Sequence, residues 1–408
     1  MRDETMGCIT AQAAPESLTG ELIKGFSDLS PAERAALSGA CVENADYLAL
    51  CEDGAPGNMT LGAVVVRRGG EIILAVPVLC LSYRLDTPLQ GRFDRFGQWL
   101  RRLAPSLVEW RLFCVGSPFT ENCPLLFRGE LSRTERHDAF RALMAAVEKA
   151  AIAAKASLTA FKDLAEDERK EFGALLTDGR YNAIRSLPTA VLDLSKLAPE
   201  GGQDAYFSSL SRTTRKDIKR KLKSRDVLRI EHRKRIDDIA QDITALYQST
   251  QANSEVRYGD FEELPQGYFQ SVSCLGPDRV HYILYWVGEH LAAFNLLFLE
   301  KDRVIDKFLG MRYPLARHHN IYAVSWMENV DFTLKTGRLS LQSGQTAYAS
   351  KLRFKSELQP LTIYARHRNA FVNRLIYAAA DLAAFDRWDP DLRGLRKKAG
   401  KRGGVHSQ

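Results

Sequence analysis

The sequence has no apolar run long enough to cross a bilayer, and its seven cysteines form no CxxC pair. An odd thiol count without paired spacing in a long chain points to reduced cysteines rather than a disulfide frame. The eight histidines make no HExxH and join no cysteine pair, so no metal is expected. No GxGxxG opens a helix after a strand, no GxxxxGK followed by Ser or Thr occurs, and no GxSxG elbow is present. Dinucleotide, P-loop and serine-hydrolase chemistry are thereby set aside. The first 25 residues lack a basic start followed by an apolar stretch, so no secretory signal is expected and the chain reads as cytoplasmic.

What remains is a chain of 408 residues, 45% apolar, enough for a real core and two or three domains. The net charge of +7 is localised. Between Arg212 and Arg235 there are twelve Lys and Arg against three acids, and from Arg393 onward six bases and no acid. The rest of the chain is mildly acidic, so a phosphate or polyanion would meet one helix-sized segment. The tail 393–408 reads as a basic disordered end.

The element order repeats. In the first half a helix is expected near Pro31–Val42, then strands over Tyr47–Cys51, Leu61–Arg67, Glu71–Leu81 and Val108–Val115, with Gly69-Gly70 turning a hairpin. A long helix over Ser132–Ala154, a strand at Leu158–Phe161, a helix over Glu166–Leu176 and a strand over Ala183–Leu194 follow. In the second half a basic helix (203–223) and an apolar-striped helix around Ile236–Leu246 precede strands at 280–287, 291–299 and 303–311. A helix over Asn320–Thr336, closed by Gly337, and strands at 338–342 and 358–366 end the pattern. Gly116 and Gly310 each close a strand before a helix-bearing segment. The reading is an α/β chain of two tandem units, 1–200 and 201–392, with mixed sheets and a junction at Pro199-Glu200-Gly201-Gly202.

Three clusters carry chemistry. Arg312, Arg317, His318 and His319 lie between a strand end and Asn320, a good N-cap, where helix N–H groups and cations together suit a phosphate. Asp306 and Lys307 interrupt the apolar strand Val304–Leu309 and face opposite ways, so each needs its own partner or open water in a cleft. Asp306 is therefore a candidate base. In the segment Gln342–Lys351, Tyr348 suits a general acid, Lys351 an anion contact, and Gln342 and Gln345 polar recognition. Arg212 and Arg215, three apart, share a helix face. Cys114 beside Gly116 reads as a core thiol.

The tandem units, the Ser211-Arg212-Thr213-Thr214-Arg215-Lys216 helix start, the strand ending at Met311 with its arginine-bearing loop, and Gly344–Lys351 followed by Pro360-Leu361 resemble the BioF-like and FemAB-like branch of the GNAT acyltransferase superfamily. The match spans about residues 110 to 370 and is best over 203–368. The resemblance implies two GNAT-like domains, a V-shaped opening between parallel strands, and N-acyl transfer to a small-molecule or cell-envelope amine from acyl-CoA or aminoacyl-tRNA. It sets Gly310–Asn320, with Tyr313, where the donor phosphates lie, and matches Lys351 to a lysine that closes on the donor. The usual Gln/Arg-xxGxG or -xxGxA signature is absent, and Tyr313-Pro314 occupies its place. The stretch Lys223–Ile236 is too short for the tRNA-binding hairpin of some Fem-type enzymes, so the donor is expected to be an acyl thioester. Asp306 or the His318–His319 pair would be the base and Tyr348 the acid, while Arg212, Arg215, Lys307 and Gln342 would contact substrate. A second reading is a non-catalytic RNA binder using the basic segment 211–235, and a third an aminoacyl-tRNA-dependent transferase.

Overall fold

The computed structural model describes residues 17–37, 39, 41–57, 59–84, 109–197, 202–254, 263–387 and 389–394. The linker expected around 199–201 and most of the basic tail lie outside the described residues. The first half supplies β1 (Leu18–Ile23), β2 (Thr60–Arg68), β3 (Glu71–Arg84), β4 (Glu109–Val115), β5 (Leu126–Phe127), β6 (Leu158–Leu164), β7 (Asn182–Arg185) and β8 (Thr189–Asp193). The second supplies β9 (Leu228–Arg233), β10 (Val280–Val287), β11 (His290–Leu299), β12 (Arg303–Met311), β13 (Ser340–Gln342), β14 (Glu357–Gln359) and β15 (Thr362–His367).

One sheet runs β1-β2-β3-β4-β6-β15-β7, with β5 on β3, and the other β9-β10-β11-β12-β13-β8-β14. Each is an antiparallel meander of four strands, a helical crossover, and one parallel neighbour: β4 with β6 across Arg133–Ala153, and β12 with β13 across Ile321–Lys335. The duplicated unit read from the sequence is thus present in both sheets. The two halves also exchange strands. Two segments expected as single strands, 183–194 and 358–366, are each broken at a proline, Pro188 and Pro360. A proline has no N–H for the ladder, so the strand ends there and the chain crosses over. β7 stays in the first sheet while β8 inserts between β13 and β14, and β14 stays in the second while β15 inserts between β6 and β7.

Helix stripes place the cores. Phe140, Leu143 and Val147 of the first crossover helix pack on the first sheet, and Val324, Met327 and Val330 of the second on the other. A third cluster joins the facing sides of both sheets, with Ala63, Val65 and Ile72 meeting Tyr282, Phe294 and Phe298. Tyr47 sits in it and donates to the Phe119 carbonyl at 2.6 Å. The strand expected at Tyr47–Cys51 is instead the helix Ala45–Glu52, because the Asn44 side chain accepts from the N–H groups of Asp46 and Tyr47 and caps it. The basic helix is likewise two helices, Gly202–Ser209 and Arg212–Lys221, since Ser211 starts a new N-cap on Thr214.

Candidate active site

The ladder between β12 and β13 pairs Arg303 with Ser340, Val304 with Leu341 and Ile305 with Gln342, and stops there, although β12 continues to Met311. In the first unit β4 pairs with β6 up to Val115, its last residue. The repeat is therefore zipped in one unit and parted in the other. At the parting point β12 carries a bulge: Leu296 faces Phe308 and Leu297 faces Asp306, leaving Lys307 as the extra residue.

Asp306 lies on the side of the crossover helix. Its carboxylate accepts from Asn295 Nδ2 at 2.9 Å, and Asn295, fully buried, accepts in turn from the Tyr285 hydroxyl at 2.9 Å. Burial pushes the Asp306 carboxyl up to about 6, against the pull of Asn295 and Lys351, with the Glu121 charge adding to the rise. Lys351, 6% exposed, donates to the carbonyls of Ser343 and Gly344, at 3.3 Å in the second case. Burial brings its ammonium down to about 8, while the Asp306 and Glu121 charges work to keep it protonated.

Lys307 points into the cluster between the sheets. Its ammonium is 2.6 Å from Glu43 Oε1 and 3.1 Å from Glu121 Oε1. Burial disfavours the charge, yet the two carboxylates outweigh it and hold Lys307 above its ordinary value. Gln342 Nε2 donates to Glu121 Oε2 at 3.3 Å, and Gln342 Oε1 accepts from Arg303 at 2.8 Å.

The structure thus brings Asp306, Lys307, Gln342 and Lys351 to one place. Tyr348 is not among them as an acid: it is fully buried, and its hydroxyl donates to the Pro188 carbonyl at 2.8 Å, so its proton is committed to the core. Asn320 is not the expected side-chain cap. Its φ of 52° puts it in the left-handed region, and its amide donates to Ser224 Oγ at 3.2 Å. Gly310 packs over Phe294, where a Cβ would lie 2.2 Å from the ring, so packing accounts for the glycine. Arg312 is exposed and donates to the Leu291 carbonyl at 3.2 Å; Arg317, also exposed, reaches Asn253 at 3.4 Å and stacks over Tyr313. His318 is exposed and His319 half-buried, their rings edge to face on the same turn. Gln345 is half-buried, and its Nε2 finds no hydrogen-bond partner among the described residues. Arg212 is exposed, and Arg215 donates to the Ser208 carbonyl at 2.6 Å. Six of the twelve cations of 212–235 pair with carboxylates: Arg220 and Lys221 with Asp217, Arg225 with Glu328, Arg229 and Arg233 with Glu231, and Arg235 with Asp237. Cys114 is a buried thiol pushed up to about 12 by burial, as a core cysteine should be.

Sequence reasoning missed Glu43, Glu121 and Asn295. Asn295 had a signal, a carboxamide inside the apolar run Leu291–Leu299; the two glutamates are loop residues whose burial depends on the other half of the chain. Among the described residues no group of three or more His, Cys, Asp or Glu is placed to hold a metal, and no helix is long and apolar enough to cross a membrane.

No family model matches the chain, and no curated protein matches it. Solved structures do. FemX superposes with a TM-score of 0.50 at 12% identity, over 80% of this chain and 92% of that one. A tandem GNAT protein from the clavulanic acid biosynthesis pathway gives 0.47 at 14% identity, over 86% of this chain and 99% of that one. The chain shares the fold of FemX and is built of two tandem units. At these identities the likeness concerns the fold alone.

Proposed function

We propose that the chain is an N-acyltransferase whose second unit carries the reaction, with an acyl thioester of the acyl-CoA type as donor and an amine as acceptor. The observation that carries this reading is the pair Asp306 and Lys351, with values of about 6 and about 8, at the point where β12 and β13 part. Groups pushed toward neutrality from opposite sides suit a base and an acid in one reaction. Asp306 takes a proton from the incoming ammonium, the neutral amine attacks the thioester carbonyl, and main-chain N–H groups of β12 beyond its ladder to β13 face the developing oxyanion. The C–S bond breaks as the C–N bond forms, and Lys351 gives its proton to the departing thiolate. Lys351 takes this role because the Tyr348 proton is held by Pro188. Arg312 and Arg317, exposed beside the His318–His319 turn, form a rim suited to donor phosphates. The division at residues 200 and 201 belongs to this proposal, with each unit completed by a strand of the other.

Native mass spectrometry of gently purified protein tests the donor: retained acyl-CoA supports the thioester, whereas retained tRNA moves the reading to an aminoacyl donor. If neither is retained and no acetyl or longer acyl group passes from its CoA ester to any of a panel of amines, the proposal fails.

A further inference from the structure

The acyl-transfer reading gives the first unit no chemical task, yet two of the buried charges at the parting point, Glu43 and Glu121, come from it. We infer that Glu121, with Glu43, is a positioning residue of the second unit's opening, tying the bulge lysine of β12 and the last ladder residue of β13 to the first unit and so fixing how far the strands part.

The geometry is a closed clasp. Glu121 follows β4 and Glu43 precedes the helix Ala45–Glu52, so both belong to the first unit. Glu121 reaches the β12 lip through Lys307 and the β13 lip through Gln342. Glu43 takes the same ammonium and also accepts from the Glu121 main-chain N–H at 2.9 Å, so the two carboxylates brace one another. The side chains of Lys307, Glu43 and Glu121 are 4%, 11% and 14% exposed. Lys307 is the bulge residue, where the ladder to β11 does not fix the backbone, and Gln342 is where the ladder to β13 ends. Glu121 thus holds β12 at its bulge and β13 at the last residue of its ladder with β12. A buried ion cluster is a poor source of stability but a strict constraint on geometry.

The clasp also sets charge. Lys307 from β12, Gln342 from β13, Glu43 ahead of its helix, and Lys351 from the helix Tyr348–Arg353 all face Glu121, and Asp306 feels it across β12. Burial pushes Glu43 up, whereas Lys307 and Gln342 hold Glu121 down against its own burial, and the Glu121 charge raises Asp306 and works to keep Lys351 protonated. Neutralising Glu121 should therefore lower both.

The proposal rests on the acyl-transfer reading for its purpose, but its test needs no activity. In full-length Glu121→Gln, amides of 306–311 and 340–342 should exchange about tenfold faster or more, the loss expected for one charge-assisted hydrogen bond, while β2 to β4 stay as in the parent. The Asp306 carboxyl, followed by carbon NMR, should titrate at lower pH, and Glu121→Asp should restore part of both effects. Uniformly faster exchange in both sheets, or unchanged lips with an unmoved Asp306 titration, overturns the inference. Should Glu121→Gln not fold, Gln342→Leu removes the β13 tie, along with the Arg303 bond, and leaves the Lys307 pair in place; unaltered exchange at 340–342 there overturns it equally. A protein with no transferase activity but these exchange changes would sink the proposed function and leave the clasp standing.

Discussion

Replacing Asp306 with Asn tests whether its buried charge is kept for function or for the fold. The carboxyl titrates near 3.8 in the unfolded chain and about 6 in the folded one. Well below pH 3.8 both states are neutral and the charge has no effect on stability. As pH climbs to 6 the unfolded chain releases its proton first, so stability falls, and above 6 the penalty is constant. That difference corresponds to about 3 kcal/mol, an upper value because a buried site relaxes when it ionises. Asn keeps the shape, and its Oδ1 still accepts from Asn295. The variant should therefore match the parent near pH 4 and exceed it by about 1–3 kcal/mol at pH 8. Urea unfolding followed by circular dichroism at the two pH values, with unchanged m-values, reads this directly. At saturating donor the same variant should lose about 10²- to 10⁴-fold in rate, the usual contribution of a general base. An Asp306→Asn protein less stable than the parent at pH 8 would show that the carboxylate is a paired structural charge, and full turnover would remove it from the chemistry.

The rate should rise through about pH 6 as Asp306 ionises and fall through about pH 8 as Lys351 loses its proton, and Lys351→Met should abolish the alkaline limb along with most of the rate; a profile flat from 5 to 9 would exclude the pair. Arg312→Ala and Arg317→Ala should each weaken coenzyme A binding in a calorimeter by about 1.5–3 kcal/mol without unfolding the chain, and unchanged affinity would move the phosphate site elsewhere. Tyr348→Phe should lower stability by about 0.5–1.5 kcal/mol, the worth of its bond to Pro188, and leave the pH profile in place; a collapse of rate at full stability would return the acid role to Tyr348.

Much of the fold was legible because it is local. Strands β10 to β12 and both crossover helices follow apolar runs and 3.6-residue stripes that the chain states in one stretch. Asp306 and Lys307 were legible for the same reason, two charges in an apolar strand that each had to find a partner. The partners were not. Glu43 and Glu121 lie 264 and 186 residues from Lys307, and nothing beside them in the chain marks them as buried. Tyr348 misled because a tyrosine near a turn looks the same whether its hydroxyl meets a substrate or the Pro188 carbonyl, which only the inserted strand β8 brings there. Strand exchange was invisible because each broken segment reads as one continuous strand; Pro188 and Pro360 were the available sign.

The exchange bears on why a zipped unit stays beside a parted one. β8, from the first half, pairs with both β13 and β14, so the lip that carries Gln342 is backed by a strand that unit does not own. β15 in turn pairs with β6 and β7, so the first sheet is incomplete without the end of the chain. Neither sheet can close alone, and separating the halves would expose unpaired strand edges in both. A second unit expressed by itself would lack β8 as well as Glu43 and Glu121, losing at one stroke the backing of the β13 lip and the clasp on the bulge. The parted strands are therefore braced by the half in which the equivalent pair, β4 and β6, stays laddered to the end of β4.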